Sequence, residues 1–215
     1  MPDTQRLPTR DARKFSAKIG RLKVPESFAA LAEPNCRYEE TLSLLQYWEG
    51  RLRHTSLEQD TLTAPELDPL DIPHLLPYIY LLEWKGDRLV YRIAGENVNG
   101  LFSRQLTGRY FDEVVPKEPY KVVFPYFKAV FDMKATLFKG RIILRGREFM
   151  DFERLMLPVT RSSKVMLLGC AAFSTTASVR SNPLPESEPG FHFQSLDLKT
   201  GEVTTKSVDM TPVFA

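Results

Sequence analysis

The side chains that most often carry chemistry in proteins are few in this chain and widely spaced. The histidines are His54, His74 and His192, and no two of them have the spacing of a metal-binding pair. Cys36 and Cys170 form no Cys-x-x-Cys pair, which excludes a zinc ribbon and a thioredoxin-type redox motif. No Ser/His/Asp signature, Walker sequence or Gly-x-Gly-x-x-Gly sequence is present. The sequence therefore predicts no catalytic residues, no metal site and no enzyme activity, and it leaves any cofactor unidentified.

Composition and charge are those of an ordinary globular protein. The 215 residues are 43% hydrophobic, and 29 Lys and Arg nearly balance 27 Asp and Glu, for a net charge of +2. That length is enough for one core with flanking extensions, or at most two small domains. The charge alone gives no argument for nucleic-acid binding.

The N-terminal segment is different, because its first 25 residues contain seven basic and two acidic side chains. This segment is interpreted either as a solvated terminus or as an arm that contacts an acidic partner, a membrane surface or nucleic acid. It has no apolar signal core, and no stretch of the chain approaches the roughly 20 apolar residues of a membrane span. We therefore expect a cytoplasmic protein.

The elements that must position any site follow one another in an α+β order. A helix is predicted over residues 36–54, capped by Asn35 and with one apolar stripe at helical spacing. A second helix is predicted from Pro119 to Phe131, with a late start or a kink near Pro125. Five strands are predicted: Tyr78–Trp84, Arg88–Ala94, Thr136–Arg145, Asp151–Val159 and Lys164–Thr175. Their short connections favour an antiparallel sheet.

Three regions are predicted along the chain. Residues 1–35 form the basic arm, residues 36–177 form one domain that includes its N-terminal flanking helix, and residues 178–215 form a polar C-terminal extension. Within that extension, Phe191–Leu198 and Glu202–Val208 flank a Thr-Gly turn and are predicted to form a small hairpin.

Four short motifs occur in a fixed order within the predicted domain. They are Asp68-Pro69 with Leu76-Pro77, Tyr91-Arg92-Ile93-Ala94-Gly95, Leu106-Thr107-Gly108-Arg109, and Glu153-Arg154-Leu155-Met156-Leu157-Pro158. In these motifs the chain resembles one bacterial subfamily of PAS domains over about residues 38–176. The family usually has an Asp-Gly-like turn after the last motif, whereas this chain has Arg161-Ser162-Ser163-Lys164.

The resemblance implies a five-stranded antiparallel sheet with helices on one face and a sensory or dimerising role. PAS domains commonly dimerise through a helix in the position of 36–54. A homodimer is therefore expected, with a seam formed by the apolar stripe Leu42, Leu45, Trp48 and Leu52. The alternative is that this stripe folds back over the domain's own sheet.

A cavity is expected between the sheet and the helix Pro119–Phe131. The side chains predicted to line it are Tyr91, Ile93, Phe127, Phe131, Leu144, Leu155 and Leu157. The alternative is that these seven residues simply fill the core. Because PAS domains hold many ligands or none, the resemblance names no ligand.

His74 and Arg92 each have two interpretations. Haem-binding PAS domains usually place their axial histidine on the helix before the third strand, and that helix has no histidine here. Haem ligation by His74 is therefore a weak hypothesis. Arg92 is predicted to form a salt bridge across the sheet, with Glu153 as one candidate, rather than to anchor a partner.

The predicted function is that of a stand-alone PAS-type module for sensing or protein interaction. Only 38 residues follow Ala177, so an output domain is expected to come from a partner protein, and a small-molecule ligand is compatible with this role. Two alternatives stay open. One is an unrecognised small-molecule enzyme. The other is a nucleic-acid-binding protein that uses the basic arm and an Arg-rich sheet face near Phe149, Phe152 and Arg154.

Overall fold

The computed structural model describes residues 36–59, 63–144, 147–174 and 191–208. The basic arm and the proposed cap Asn35 lie outside these ranges. The helices are α1 (Glu39–Gln59), α2 (Glu96–Leu101), α3 (Phe111–Val114) and α4 (Lys117–Phe131). The strands are β1 (Ile79–Lys85), β2 (Arg88–Ala94), β3 (Lys134–Leu144), β4 (Arg147–Arg161), β5 (Lys164–Phe173), β6 (Phe191–Asp197) and β7 (Val203–Val208). Two short 3-10 helices, Pro69–Asp71 and Pro73–Leu75, occupy the proline-rich segment.

The strands form one antiparallel sheet in the order β2-β1-β5-β4-β3-β6-β7. The antiparallel arrangement and the presence of all five predicted strands, β1–β5, confirm the predicted α+β fold. The predicted tail hairpin also forms, as β6 and β7, but it does not stand apart from the domain. Because β6 pairs with β3 from Lys134↔Asp197 to Gly140↔Phe191, the hairpin extends the sheet from five strands to seven.

The predicted N-terminal flanking helix is α1, which packs on the opposite face of the sheet from α4. The apolar stripe of α1 contacts β4 and β5, and its four side chains are between 1% and 6% exposed within a single chain. The indole Nε1 of Trp48 donates a 2.8 Å hydrogen bond to the carbonyl of Pro158 on β4. Within one chain these residues therefore belong to the protein's own core, which is the stated alternative to a dimer seam at Leu42, Leu45, Trp48 and Leu52.

The second layer lies on the other face and is centred on α4. Phe127 of α4 is fully buried, and its ring centroid is 4.4 Å from that of Phe111 in α3. The helix begins at Lys117 and continues through Pro125, so the predicted late start is wrong. Pro125 is exposed, where a missing backbone N–H costs least because water can serve the carbonyl left without its donor. The sheet thus separates two apolar cores, one under α1 and one under α4.

Three of the sequence motifs meet in space through glycine. The N–H of Gly108 donates to the carbonyl of Tyr91 at 2.7 Å, and Gly108 has φ +84, a conformation that favours glycine. A Cβ on Gly95 would overlap the carbonyl oxygens of Leu76 and Pro77. These glycines allow the motif segments to pack closely around the end of β2.

The start of α1 is held by a buried carboxylate from β4. Glu153 is 0% exposed and accepts hydrogen bonds from the backbone N–H of Arg37 at 2.8 Å and of Tyr38 at 3.5 Å, and from the hydroxyl of Thr41. Lys139 of β3 lies 3.6 Å from the same carboxylate. The two backbone N–H groups directly precede the helix, so Glu153 fixes the start of α1 to the sheet.

The loop between β4 and β5 contains only two residues that are outside the strand pairing. Ser162 has φ 49 and Ser163 has φ 63, and the flanking Arg161 and Lys164 are paired. Two consecutive left-handed residues are the geometry of a type I′ hairpin turn, which normally contains Asn-Gly. The departure from the family's Asp-Gly-like turn therefore changes the residues and retains a tight hairpin.

We expect the double variant Ser162→Asn, Ser163→Gly to be more stable than the wild type. The left-handed conformation costs an ordinary residue about 1–2 kcal/mol, and glycine avoids most of that cost, so a gain of about 1 kcal/mol is expected. Urea unfolding followed by circular dichroism measures it. A midpoint that does not rise would mean that the serine turn is unstrained.

Candidate ligand-binding site

A cavity of about 120 Å³ lies between the sheet and the helical layer of α2–α4 and is partly open to solvent. Eleven residues of the described ranges line it, and ten of these are apolar: Leu101, Phe102, Val115, Pro116, Pro119, Val123, Phe138, Phe152, Phe173 and Phe191. The eleventh is Arg154. Because Phe191 belongs to β6, the C-terminal hairpin contributes part of the cavity wall.

The predicted position of the cavity, against the helix before β3, agrees with the structure, but none of the seven predicted lining residues is among these eleven. Tyr91, Phe127 and Phe131 pack in the core under α4 without lining the cavity. Ile93, Leu155 and Leu157 belong to the opposite core, under α1. Leu144 ends β3, and its side chain lies outside the described part of the structure.

At β4 the prediction chose the wrong set of alternating residues for the face that lines the cavity. Side chains along a strand point alternately to opposite faces. Leu155 and Leu157 share the α1 face with Glu153, whereas Phe152, Arg154 and Met156 share the α4 face. Since both faces of β4 carry apolar residues, alternation alone did not indicate which set lines the cavity.

Arg154 is the one charged residue among the described lining residues, and the sequence did not indicate it as part of the site. Its guanidinium carbon lies 5.5 Å from the centroid of the Tyr80 ring and 5.4 Å from that of Phe127, both within the range of cation–π attraction. Its Nε atom is buried and has no hydrogen-bond partner. The available signal was its position between Phe152 and Met156 on one face of the strand.

The tyrosine side chains next to Arg154, Tyr80 and Tyr91, are strongly desolvated. Burial raises the pKa of Tyr91 to about 12, and the positive charge of Arg154 acts in the opposite direction. Burial likewise raises the pKa of Tyr80, whose hydroxyl is buried without a hydrogen-bond partner. Both phenols are therefore neutral at physiological pH, and neither supplies a counter-ion to Arg154.

Adjacent residues of β4 connect the two faces of the sheet. Arg154 lines the cavity on the α4 side, and Glu153 holds the first turn of α1 on the other side. Asp151, two residues earlier, forms a 2.7 Å ion pair with Arg37 just before α1. A displacement of the β4 backbone at Arg154 therefore moves the groups that hold the start of α1.

The other sequence candidates are dispersed. His74 is exposed on a 3-10 helix and does not line the cavity, and His192 contacts Ser207 through its Nδ1 at 2.8 Å. Both cysteines are buried, and burial raises the pKa of the Cys170 thiol. Within the described ranges no three metal-ligating side chains are grouped to hold an ion. No described helix is both long and apolar enough to cross a membrane.

The structure changes two predictions about arginines, namely the partner of Arg92 and the character of the Arg-rich sheet face. Arg92 forms its salt bridge with Glu83 of β1 at 3.3 Å, and Glu153 is paired with Lys139 instead. The Arg-rich sheet face does not present Phe152 for base stacking, because its side chain is 4% exposed under α4. Arg154 likewise faces the cavity.

Comparison with known proteins places this architecture in a family. A family model described as a PAS domain matches residues 37–172, which is more than half of the chain. No curated protein and no solved structure matches the chain. PAS domains are in general modules for sensing or interaction. The match and the described fold together show that this chain belongs to the PAS domain family.

Proposed function

We propose that this PAS domain is a sensor that takes a small ligand into the cavity between the sheet and α4. The proposal rests on the cavity itself, which is apolar, partly open, and contains one cationic side chain. Binding sites for small molecules are typically concave, mostly apolar and provided with a few polar groups that orient the ligand. The C-terminal hairpin contributes to the same wall, so ligand binding also involves residues beyond those matched by the family model.

We further propose that occupancy is transmitted through β4 to α1 and from there to an output protein. A ligand shifts a conformational equilibrium only by as much as it binds one state better than the other. Contact with Arg154 supplies such a difference in affinity between two states. A shift of β4 at this residue is shared by the neighbouring Glu153, and hence by the residues that Glu153 holds at the start of α1. The exposed side of α1, which includes Gln46, Arg51 and Arg53, is the surface offered to that partner.

Toluene binding to the cavity tests this function. A variant in which a larger side chain fills the cavity should lose the response to toluene. An apolar cavity of about 150 Å³ is known to accept benzene. We expect toluene to raise the melting temperature of the wild type and to change amide hydrogen exchange in the first turn of α1. We expect neither response in Val123→Phe, because Val123 lines the cavity and is 5% exposed.

The control is Val122→Phe, which makes the same change at the neighbouring, half-buried position outside the cavity lining. This variant should respond to toluene as the wild type does. If the first turn of α1 exchanges identically with and without toluene while the probe is bound, signal transmission through β4 is wrong. If no variant and no wild-type sample binds the probe, the cavity is not a ligand site.

A further inference from the structure

Among the described residues, the cation in the cavity has no matching anion. Arg154 is the one charged residue of the described ranges that lines the cavity, and no ion pair within those ranges includes Arg154. Removing a charged group from water is unfavourable unless an opposite charge and hydrogen bonds replace the water. The faces of Tyr80 and Phe127 compensate in part, but an aromatic face leaves Nε without an acceptor.

The guanidinium of Arg154 lies over the ring of Tyr80, which offers it no hydrogen-bond acceptor. Most buried polar groups in proteins are hydrogen-bonded, so the unsatisfied Nε of Arg154 requires an explanation. An anionic ligand group on Arg154 would satisfy the guanidinium, which is suited to carboxylates because it donates in a planar fork.

The remaining surface of the cavity defines the rest of the ligand. Five of the lining residues are phenylalanines: Phe102, Phe138, Phe152, Phe173 and Phe191. Aromatic side chains favour edge-to-face and offset contacts with another ring. The volume of about 120 Å³ is well below the roughly 300–1,000 Å³ of sites for drug-sized molecules and cofactors. The space therefore suits one ring and one small substituent.

We infer that the ligand of this cavity is a small aromatic monocarboxylate, with its ring among the phenylalanines and its carboxylate on Arg154. The inference rests on the proposed sensory function and names the ligand class of the same site. The positive charge of Arg154 discriminates between an acid and its neutral analogue. The five lining phenylalanines discriminate between a ring and an extended chain.

Benzoate and benzamide form the matched pair of probes, because they share ring and shape and differ in charge. Calorimetry on the full wild-type chain should give a benzoate affinity at least roughly tenfold above that of benzamide, since hydrogen bonds to charged groups are among the stronger ones. Hexanoate, which keeps the charge without the ring, should bind more weakly than benzoate. This comparison needs no variant and is independent of any folding defect.

Arg154→Met and Arg154→Lys add a second measurement. The methionine variant, checked for folding by circular dichroism, should lose the preference for benzoate over benzamide, and the lysine variant should retain part of it. Equal binding of benzoate, benzamide and toluene by the wild type would overturn the inference and leave the sensory cavity intact. Tighter hexanoate binding would overturn the aromatic assignment. Failure of all probes, toluene included, would overturn the proposed function as well.

Discussion

Trp48→Glu is expected to unfold this protein as a monomer rather than to release a folded monomer from a dimer. Trp48 is 1% exposed in the core under α1, and its indole N–H is bonded to the carbonyl of Pro158. Replacing a buried tryptophan by a small residue costs about 3–5 kcal/mol, and a carboxylate adds the cost of a buried unpaired charge. The total is comparable to the whole stability of a typical domain, about 5–15 kcal/mol.

Circular dichroism and analytical ultracentrifugation at tens of micromolar distinguish the two outcomes. Gln46→Glu is the control, because it introduces the same charge at an exposed position of the same helix and should leave the spectrum unchanged. If Trp48→Glu sediments as a folded monomer while the wild type sediments as a dimer, then α1 is a seam between copies after all.

Glu153→Ala is expected to be the second most damaging of these substitutions, with a loss of about 3–5 kcal/mol, the range for breaking a buried charge network. The alanine leaves the N–H groups of Arg37 and Tyr38 and the hydroxyl of Thr41 without their acceptor. Glu118→Ala is the matched control, because its ion pair with Lys121 is exposed and such pairs contribute about 0–1 kcal/mol. Equal losses of stability in the two variants would contradict the role of Glu153 in holding the start of α1.

Glu153→Gln tests the charge of the same side chain. Burial raises the pKa of Glu153 above its ordinary value, and Lys139 and the hydrogen bonds oppose that shift. A carboxyl with a raised pKa in the folded state contributes stability that is fully present below the ordinary glutamate pKa and is lost as pH rises through the folded pKa. The stability of the wild type relative to Glu153→Gln should therefore decline over that window and then level off. A difference that increases with pH would mean that the carboxylate form is favoured in the fold.

Most secondary structure was predictable because it follows from local periodicity. The predicted helix at Pro119–Phe131 and the five predicted strands correspond to α4 and β1–β5 with small differences at their ends. The tail hairpin was predictable for the same reason, since two alternating segments flank a turn that contains glycine. Its pairing with β3 was not, because β6 and β3 lie far apart in sequence and edge pairing leaves no local signal.

The candidate site was less predictable, because it depends on which face of the sheet each helix covers. Both faces of β4 are apolar, so Leu155 and Leu157 looked as suitable for the cavity as Phe152. The stripe of α1 was equally compatible with a partner and with its own sheet. Only the tertiary contacts distinguish these possibilities, since burial depends on what lies opposite a residue.

The sequence by itself determined the family and the antiparallel α+β fold, because motif order and periodicity are local properties of the chain. The tertiary structure alone decided that α1 covers the second face of the sheet, that Glu153 holds the start of that helix, and that Arg154 lines the cavity. A charged side chain on a strand is ordinarily expected at the surface. Here helices cover both faces of the sheet, so Glu153 is buried against the start of α1 and Arg154 is half-buried beside the cavity.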